Sequence, residues 1–389
     1  MKVAHFVRKR SQLDSSFIFN QILNHQKAIP IIYYAFDDYQ MGLAQFPLNL
    51  YKSYYLNWNE TILDKFFWKL FLKPSKRKSD ILLQLLRKEN PDIIHIHYGS
   101  DAAIYLPTIK KSNIPSLVSF YGYDCTGFPK YYLGLGKILL KNRVFLNASM
   151  ITAMSRDMKK DIINLGCVSD KILVHYHGII TKSFNLERDY QSDPQVSLLI
   201  ISSFSAQKGH IFLLKAFQNA FNKNKNLHLT IVGNGIEKKS IEKFINDKSI
   251  QNVVLKESVK YSSAEHLDYL SKADIFIHPS ITDPFGNKEG IPGSIVEAMS
   301  TGIPVISTFH AGIPEIVDHL KTGYLVKEND IEKLSEAILT LANQPELRET
   351  LGKNAKKYAL TQLDILLKED ELERIYLQLI NNVCAVSAE

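Results

Sequence analysis

The sequence predicts a parallel α/β protein made of two doubly wound, Rossmann-like domains. Short apolar runs alternate with amphipathic segments from one end of the chain to the other, the pattern of strands joined by crossover helices. The chain has 389 residues, more than one hydrophobic core commonly serves. A polar stretch without periodicity, Leu186 to Val196, interrupts the pattern near its middle. The expected domains are therefore residues 1–187 and 188–362, with 363–389 reading as a helix that packs back on the first domain.

In the first half the strand candidates are Val3–Val7, Pro30–Ala35, Asp92–Tyr98, Ser116–Gly122, Met150–Ser155 and Ile172–His177. In the second half they are Ser197–Ser202, His228–Gly233, Val253–Lys256, Asp274–His278, Pro304–Ser307 and Gly323–Val326. Helical periodicity fills the gaps, as in Gly209–Phe221, Ser263–Ser271 and Ile331–Ala342. Doubly wound sheets bind ligands beyond the carboxyl ends of their strands. Two such units facing each other would line a central cleft from both sides.

Hydrophobic residues make up 45% of the chain and charged residues 22%, enough apolar material for two cores. The three cysteines, Cys125, Cys167 and Cys384, fit no zinc spacing and are expected as reduced thiols in a cytoplasmic protein. The longest uncharged run, Ala298 to Pro314, is broken by Gly302, Pro304 and Gly312 and is no membrane span. The net charge of +7 is uneven: Tyr51 to Asn90 holds nine Lys or Arg against four Asp or Glu, together with Trp58 and Trp68. Ile62, Phe66 and Leu70 would share one helical face there. That stretch reads either as a core-facing helix followed by a solvated basic loop, Lys76–Lys78, or as a peripheral membrane patch. No nucleic-acid motif accompanies the charge.

The most informative stretch is DPFGNKEGIPGSIVEAMSTGIPVISTFHAGIPEIV, Asp283 to Val317. Gly290, Pro292 and Gly293 force a loop, and a helix starts near Ser294 and stops at Gly302. Glu289 falls on the loop and Glu297 in the helix. Amides of Gly290, Ile291, Gly293 and Ser294 can point at a ligand, and two carboxylates nearby can accept sugar hydroxyl protons. Two glutamates at this spacing are common on exposed loops, so the spacing alone assigns nothing. The whole string resembles the E-x7-E segment of the retaining GT-B glycosyltransferases of family 4 type, in the branch that makes colanic acid, exopolysaccharides and capsules. FSAQKGHIFLLKAF, Phe204 to Phe217, resembles the strand-turn-helix that carries the family's diphosphate-binding lysine, here Lys208. LTIVGNGIEKKSIEKFI resembles the next unit, with Gly233 and Gly235 allowing close approach to the donor. The arginine usual five residues before the lysine is replaced by Ser203, which removes a bidentate phosphate ligand.

The first half resembles the same family less sharply. HIHYGSDAAIYLP and SFYGYDCTGFP match two segments, the second usually reading F-H-G-Y-D, so Tyr121 stands where a histidine near the reacting sugar is usual. Tyr121 and Asp124 are expected to face the acceptor, with the Tyr121 hydroxyl donating to the sugar or to a backbone group. Asp124 reads equally as a turn residue, and His97 as a core histidine. Ser15 and Ser16, in SQLDSSFIFNQI, would lie near the donor phosphates or the acceptor. ASMITAMSRDMKKDIINLG and KILVHYHGII resemble the end of the family's first domain, with Ile180 in place of its usual aspartate.

The resemblance implies transfer of a hexose-type sugar, with retention, from a nucleoside diphosphate sugar, most commonly UDP-linked, to a glycan or lipid-linked acceptor in cell-surface polysaccharide synthesis. It implies no cofactor and no metal, and the chain has no DxD motif. Glu289 would position the donor sugar, Glu297 the ribose hydroxyls and Lys208 the diphosphate. The alternatives are a non-catalytic sugar-nucleotide-binding subunit, which Ser203, Tyr121 and Ile180 motivate, and another GT-B enzyme such as a sugar-nucleotide epimerase.

Overall fold

The computed structural model describes residues 1–38, 46–190 and 195–386. The chain divides into two compact units, Met1–Gly178 with Ile365–Glu389, and Ile179–Asp364. Both are doubly wound parallel sheets covered by helices.

The first unit holds seven strands: β1 (Lys2–Lys9), β2 (Ile29–Phe36), β3 (Lys52–Tyr55), β4 (Ile93–His97), β5 (Ser116–Phe120), β6 (Met150–Ala153) and β7 (Ile172–Val174). Their order is β3-β2-β1-β4-β5-β6-β7. The second holds β8 (Val196–Ile201), β9 (Leu227–Val232), β10 (Val253–Lys256), β11 (Ile275–His278), β12 (Val305–Thr308) and β13 (Tyr324–Val326), in the order β10-β9-β8-β11-β12-β13. The central strands are buried on both faces because helices cover both; β4, β5, β11 and β12 are buried throughout, their His, Ser and Thr residues included. Strand order reverses once in each sheet, between β1 and β4 and between β8 and β11.

Twelve strands coincide with the apolar runs. The thirteenth, β3, escapes them because Lys52–Tyr55 is a sheet edge, paired among the described residues with β2 alone and half exposed, and so lacks an apolar run. Lys76–Lys78, expected as a solvated loop, instead opens the Lys76–Glu89 helix, capped by Ser75. Arg77 and Lys78 are tied to Glu60, and Arg77 also to buried Asp64.

The division between units falls at Gly178, nine residues before the expected boundary at 187. The intervening residues are anchored on the second unit. Phe184 is fully buried against Tyr261 and His266. Arg188 donates to the carbonyls of Ala273 and Leu270, and the Tyr190 hydroxyl donates to that of Gly302. Of the stretch read as a linker, 191–194 lie outside the described residues.

The tail helix, Ile365–Val386, belongs to the first unit. Leu372, Tyr376 and Leu379 pack with Val3, Ile93 and Leu117. Glu373 Oε1 accepts three successive amides, those of Gln26 (2.9 Å), Lys27 (2.8 Å) and Ala28 (2.9 Å), fixing the turn into β2. Leu372→Ala should therefore destabilise the first unit by about 2–5 kcal/mol. Urea unfolding checks this, and an unchanged midpoint would show that the tail helix adds nothing to that core.

Candidate functional site

Lys208 ends the short turn Ala206–Lys208 after β8. The next residue, Gly209, has φ +68°, and a Cβ on it would lie 2.1 Å from the carbonyl oxygen of Pro279. Only glycine lets the chain leaving β8 pass this close to the chain leaving β11. The crossing brings Lys208 to the loop after β11, where its Nζ lies 2.7 Å from Glu289 Oε1. The pair stands at the reversal of strand order between β8 and β11, where ligands bind in doubly wound sheets.

Glu289 is held from three sides. Its amide donates to His310 Nε2 (3.2 Å), so His310 carries its proton on Nδ1 and donates it to Glu328 Oε1 (2.7 Å). Glu328 Oε2 accepts the Thr282 amide (2.7 Å). His278 Nε2 stands 3.7 Å from Glu289 Oε2, and His278 Nδ1 is 3.3 Å from the Ser294 hydroxyl. Burial pushes the Glu289 carboxyl up, but the Lys208 ammonium and the His278 ring outweigh it and hold the group at about 2.

Glu297 lies on the helix Gly293–Thr301, and among the described residues no lysine or arginine pairs with it. It faces His266 Nε2 at 3.4 Å. His266 Nδ1 accepts the Ser262 amide (3.1 Å), so the ring's proton is on Nε2. Burial lowers the His266 pKa and raises that of Glu297 to about 8. The two carboxyls read from the sequence as hydroxyl acceptors thus differ in charge: at neutral pH Glu289 is ionised and Glu297 is a neutral acid.

The amides of Gly290, Ile291, Gly293 and Ser294 make no hydrogen bond with other described residues. Gly293 and Ser294 form the first turn of the Gly293–Thr301 helix. Ser203 is exposed, its hydroxyl 3.5 Å from that of Ser205. Gly233 and Gly235 differ from expectation. A Cβ on Gly233 would lie 1.9 Å from the Ser202 carbonyl oxygen, and one on Gly235 2.5 Å from that of Phe204. The space these glycines leave is taken by the chain's own backbone.

In the first unit several expected acceptor residues turn inward. Asp124 is fully buried and accepts the amides of Gly99 (2.9 Å), Tyr121 (3.0 Å) and Gly122 (3.0 Å). It clasps the loop after β5, the turn role, although burial still raises its pKa to about 6. The Tyr121 hydroxyl does not face outward; it lies 2.7 Å from Nδ1 of fully buried His97. From there a chain runs through His5 (His97 Nε2 to His5 Nδ1, 3.1 Å) and His25 (Nε2 to His5 Nε2, 3.0 Å) to Glu369 (His25 Nδ1, 3.0 Å). Burial drives His5 and His97 well below 6.5. Each of these neutral rings has one proton, so the chain must be polarised in one direction along its length. His5, His95 and His97 bring ligand nitrogens within 4.8 Å of one another. Both nitrogens of His95 are already bonded, to Tyr376 (2.6 Å) and Ser119 (2.7 Å), which identifies a hydrogen-bond network. Ser15 precedes the first helix and bonds Tyr98, and Ser16 is exposed. The sequence reading gave no role to His278, His310 and Glu328; the one signal was His278 at the end of the buried strand β11.

The Glu297 environment has a measurable consequence. The folded chain keeps this proton up to about pH 8, whereas an unfolded chain loses it near 4.5. Between those values the folded state binds more protons, so this residue's contribution to stability falls as pH rises, by up to about 1.4 kcal/mol per unit. Glu297→Gln cannot ionise and should remove that slope. Urea unfolding of both proteins across this range checks it; parallel pH profiles would show that Glu297 is ionised in the fold.

Two family profiles match the chain in succession: Glycosyltransferase Family 4 over residues 57–183 and Glycosyl transferases group 1 over residues 185–358. The amylovoran biosynthesis glycosyltransferase AmsK of Erwinia amylovora is 30% identical over 258 residues, 64% of this chain and 61% of AmsK. WcaL of Escherichia coli K12, named for colanic acid biosynthesis, is 31% identical over 174 residues, 45% of this chain and 43% of WcaL. The match thus spans less than two thirds of either relative. In fold, Alr3699/HepE of Anabaena, solved in complex with UDP, superposes with a TM-score of 0.76 at 16% identity, covering 97% of this chain and all of that one. With two doubly wound sheets and both profiles placed over them, together spanning most of residues 57–358, the chain belongs to the family 4 glycosyltransferases of GT-B fold.

Proposed function

We propose that this chain is a retaining glycosyltransferase that moves a hexose-type sugar from a nucleoside diphosphate sugar, UDP-linked in preference, to a glycan or lipid-linked acceptor in cell-surface polysaccharide synthesis. The observation that carries the reading is the Lys208–Glu289 pair at the strand-order reversal, Glu289 being followed directly in the chain by amides that bond no other described residue. The names of AmsK and WcaL and the UDP complex of HepE support it.

In this reading an arriving diphosphate draws Lys208 away from Glu289. The lysine then neutralises the leaving phosphate, aided by the amides at the Gly293–Thr301 helix terminus and without a metal. Glu289, released and still ionised, accepts hydroxyl protons of the donor sugar. Glu297 offers the ribose hydroxyls a neutral acid, one oxygen accepting and one donating. The incoming hydroxyl attacks the face the phosphate leaves, and that phosphate takes its proton.

Loss of a charged hydrogen bond is worth about 1.5–3 kcal/mol, or roughly ten- to a hundredfold. Lys208→Ala should weaken UDP binding by that factor, and Glu289→Ala should lower turnover with little change in donor affinity. Calorimetry with UDP and a hydrolysis screen over nucleotide sugars measure both; wild-type values for the two variants would refute the assignment.

Among the described residues no helix is long and apolar enough to cross a membrane. The helix Ile62–Phe71 packs on the core through Trp68 and nonetheless turns Ile62 (88% exposed), Phe66 (52%) and Leu70 (60%) to solvent, so this face is not the core-facing one of the simpler reading. Exposed Lys65, Lys69 and Lys76 lie on or beside it. We read this face as a peripheral contact with an anionic bilayer. Phe66→Glu with Leu70→Glu should abolish co-sedimentation with phosphatidylglycerol vesicles; a wild type that fails to sediment even at low salt would rule the contact out.

A further inference from the structure

A ligand that draws Lys208 away leaves the Glu289 carboxylate, only 7% exposed, without its cation. A buried carboxylate in that position either takes a proton or finds another cation. Among the described residues the other polar side chain at this carboxylate is His278, whose Nε2 stands 3.7 Å from Oε2. His278 ends β11 and is fully buried.

The histidines beside the two glutamates differ in what faces their second nitrogen. His266 turns Nε2 to Glu297 (3.4 Å), and its Nδ1 accepts the backbone amide of Ser262 (3.1 Å). A backbone amide only donates and cannot turn, so a second proton on His266 would set N–H against N–H. Any proton that burial demands there goes on Glu297 itself, whose pKa rises to about 8. His310 is blocked in the same way, because its Nε2 accepts the Glu289 amide (3.2 Å). His278 is the exception. Its Nδ1 lies 3.3 Å from the Ser294 hydroxyl. A hydroxyl donates to a neutral ring and, after rotating about one bond, accepts from a charged one. His278 therefore has a place for two protons, Nε2–H toward Glu289 and Nδ1–H toward Ser294.

The charges around the ring give the direction. Burial lowers the His278 pKa, Glu289 opposes this, and the Lys208 ammonium adds to the lowering. The other titratable groups facing the ring are His310, whose Nε2 is occupied, and His210, which opens the helix His210–Lys223 and which burial lowers to about 3. Among the described residues Lys208 is thus the one charge facing His278 that resists a proton on it, and Lys208 is the group an anion would move. Its departure removes the repulsion and leaves the attraction of Glu289 in place.

We propose that His278 is a positioning residue that replaces Lys208 as the counterion of Glu289 when a diphosphate binds. As the ammonium leaves Oε1, His278 Nδ1 takes a proton from water, and the imidazolium pairs with the still ionised carboxylate. The Ser294 hydroxyl then accepts from Nδ1, and its own proton turns outward beside the amides of the first turn of Gly293–Thr301. The arrival of the diphosphate rests on the glycosyltransferase reading. The exchange of cations does not, because removing the lysine charge should produce it without a nucleotide.

NMR of the full chain, labelled on its histidine ring nitrogens and held at neutral pH, reads the exchange directly, and His278→Gln identifies the signal by its loss. His278 should carry one ring proton in the free wild type, two in the UDP complex and two in nucleotide-free Lys208→Met. Calorimetry of UDP binding in buffers of different ionisation enthalpy gives a second reading that needs no His278 variant. The wild type should take up about one proton more than Glu289→Gln, which has no carboxylate charge to balance. A singly protonated His278 in either the UDP complex or Lys208→Met overturns the proposal, and so does an equal proton count in wild type and Glu289→Gln. UDP that fails to bind the wild type defeats the glycosyltransferase reading instead, and the Lys208→Met spectrum then decides the exchange by itself.

Discussion

A carboxylate stays charged inside a protein only where a cation or a set of donors stands against it. Glu289 is buried and ionised, and the Lys208 ammonium is what allows both at once. Much of the local architecture of the second unit follows from that contact. Gly209 must lack a side chain so that the chain leaving β8 can cross Pro279. His310 must be fixed in one tautomer by Glu328 so that it can receive the Glu289 amide. Eight residues on, Glu297 has no such cation, and burial leaves it protonated. Two glutamates on one short segment thus differ in charge because one faces a lysine and the other a neutral imidazole.

The first unit solves the same burial problem without charge. His5, His95 and His97 are fully buried on β1 and β4, with His5 in register opposite His95. Because desolvation keeps them neutral, His5 and His97 bond each other and continue out to His25 and Tyr121, while His95 bonds Ser119 and Tyr376. Tyr121 is the outer end of this network. A tyrosine is suited to that place: its hydroxyl reaches His97, while its ring packs against Phe17, Tyr98 and His177. At the inner end Glu369 and Glu373 connect the network and the neighbouring turn to the tail helix.

The sequence made the strands legible because a doubly covered parallel sheet needs predominantly apolar runs, and β1, β4, β5, β11 and β12 have them, with buried His, Ser or Thr residues among the apolar ones. It hid β3, whose edge position relaxes that need. Lys208 and Glu289 were each legible through their motifs. Their contact was not, since 81 positions separate them and only the crossing at Gly209 brings them together. His97 and Asp124 were read with a bland alternative beside the functional one, and burial decides for the bland one in both. Gly233 and Gly235 show why glycine is hard to interpret from sequence: a ligand and the chain's own backbone demand the same missing Cβ.

The central claim is that the cation now holding Glu289 exists to hold a nucleoside diphosphate. A crystal structure of the full chain with UDP tests it most directly. The account predicts Lys208 Nζ bonded to the diphosphate, its contact with Glu289 Oε1 broken, and phosphate oxygens on the amides beside Gly293. UDP bound elsewhere, or bound here with the Lys208–Glu289 pair still closed, would contradict it.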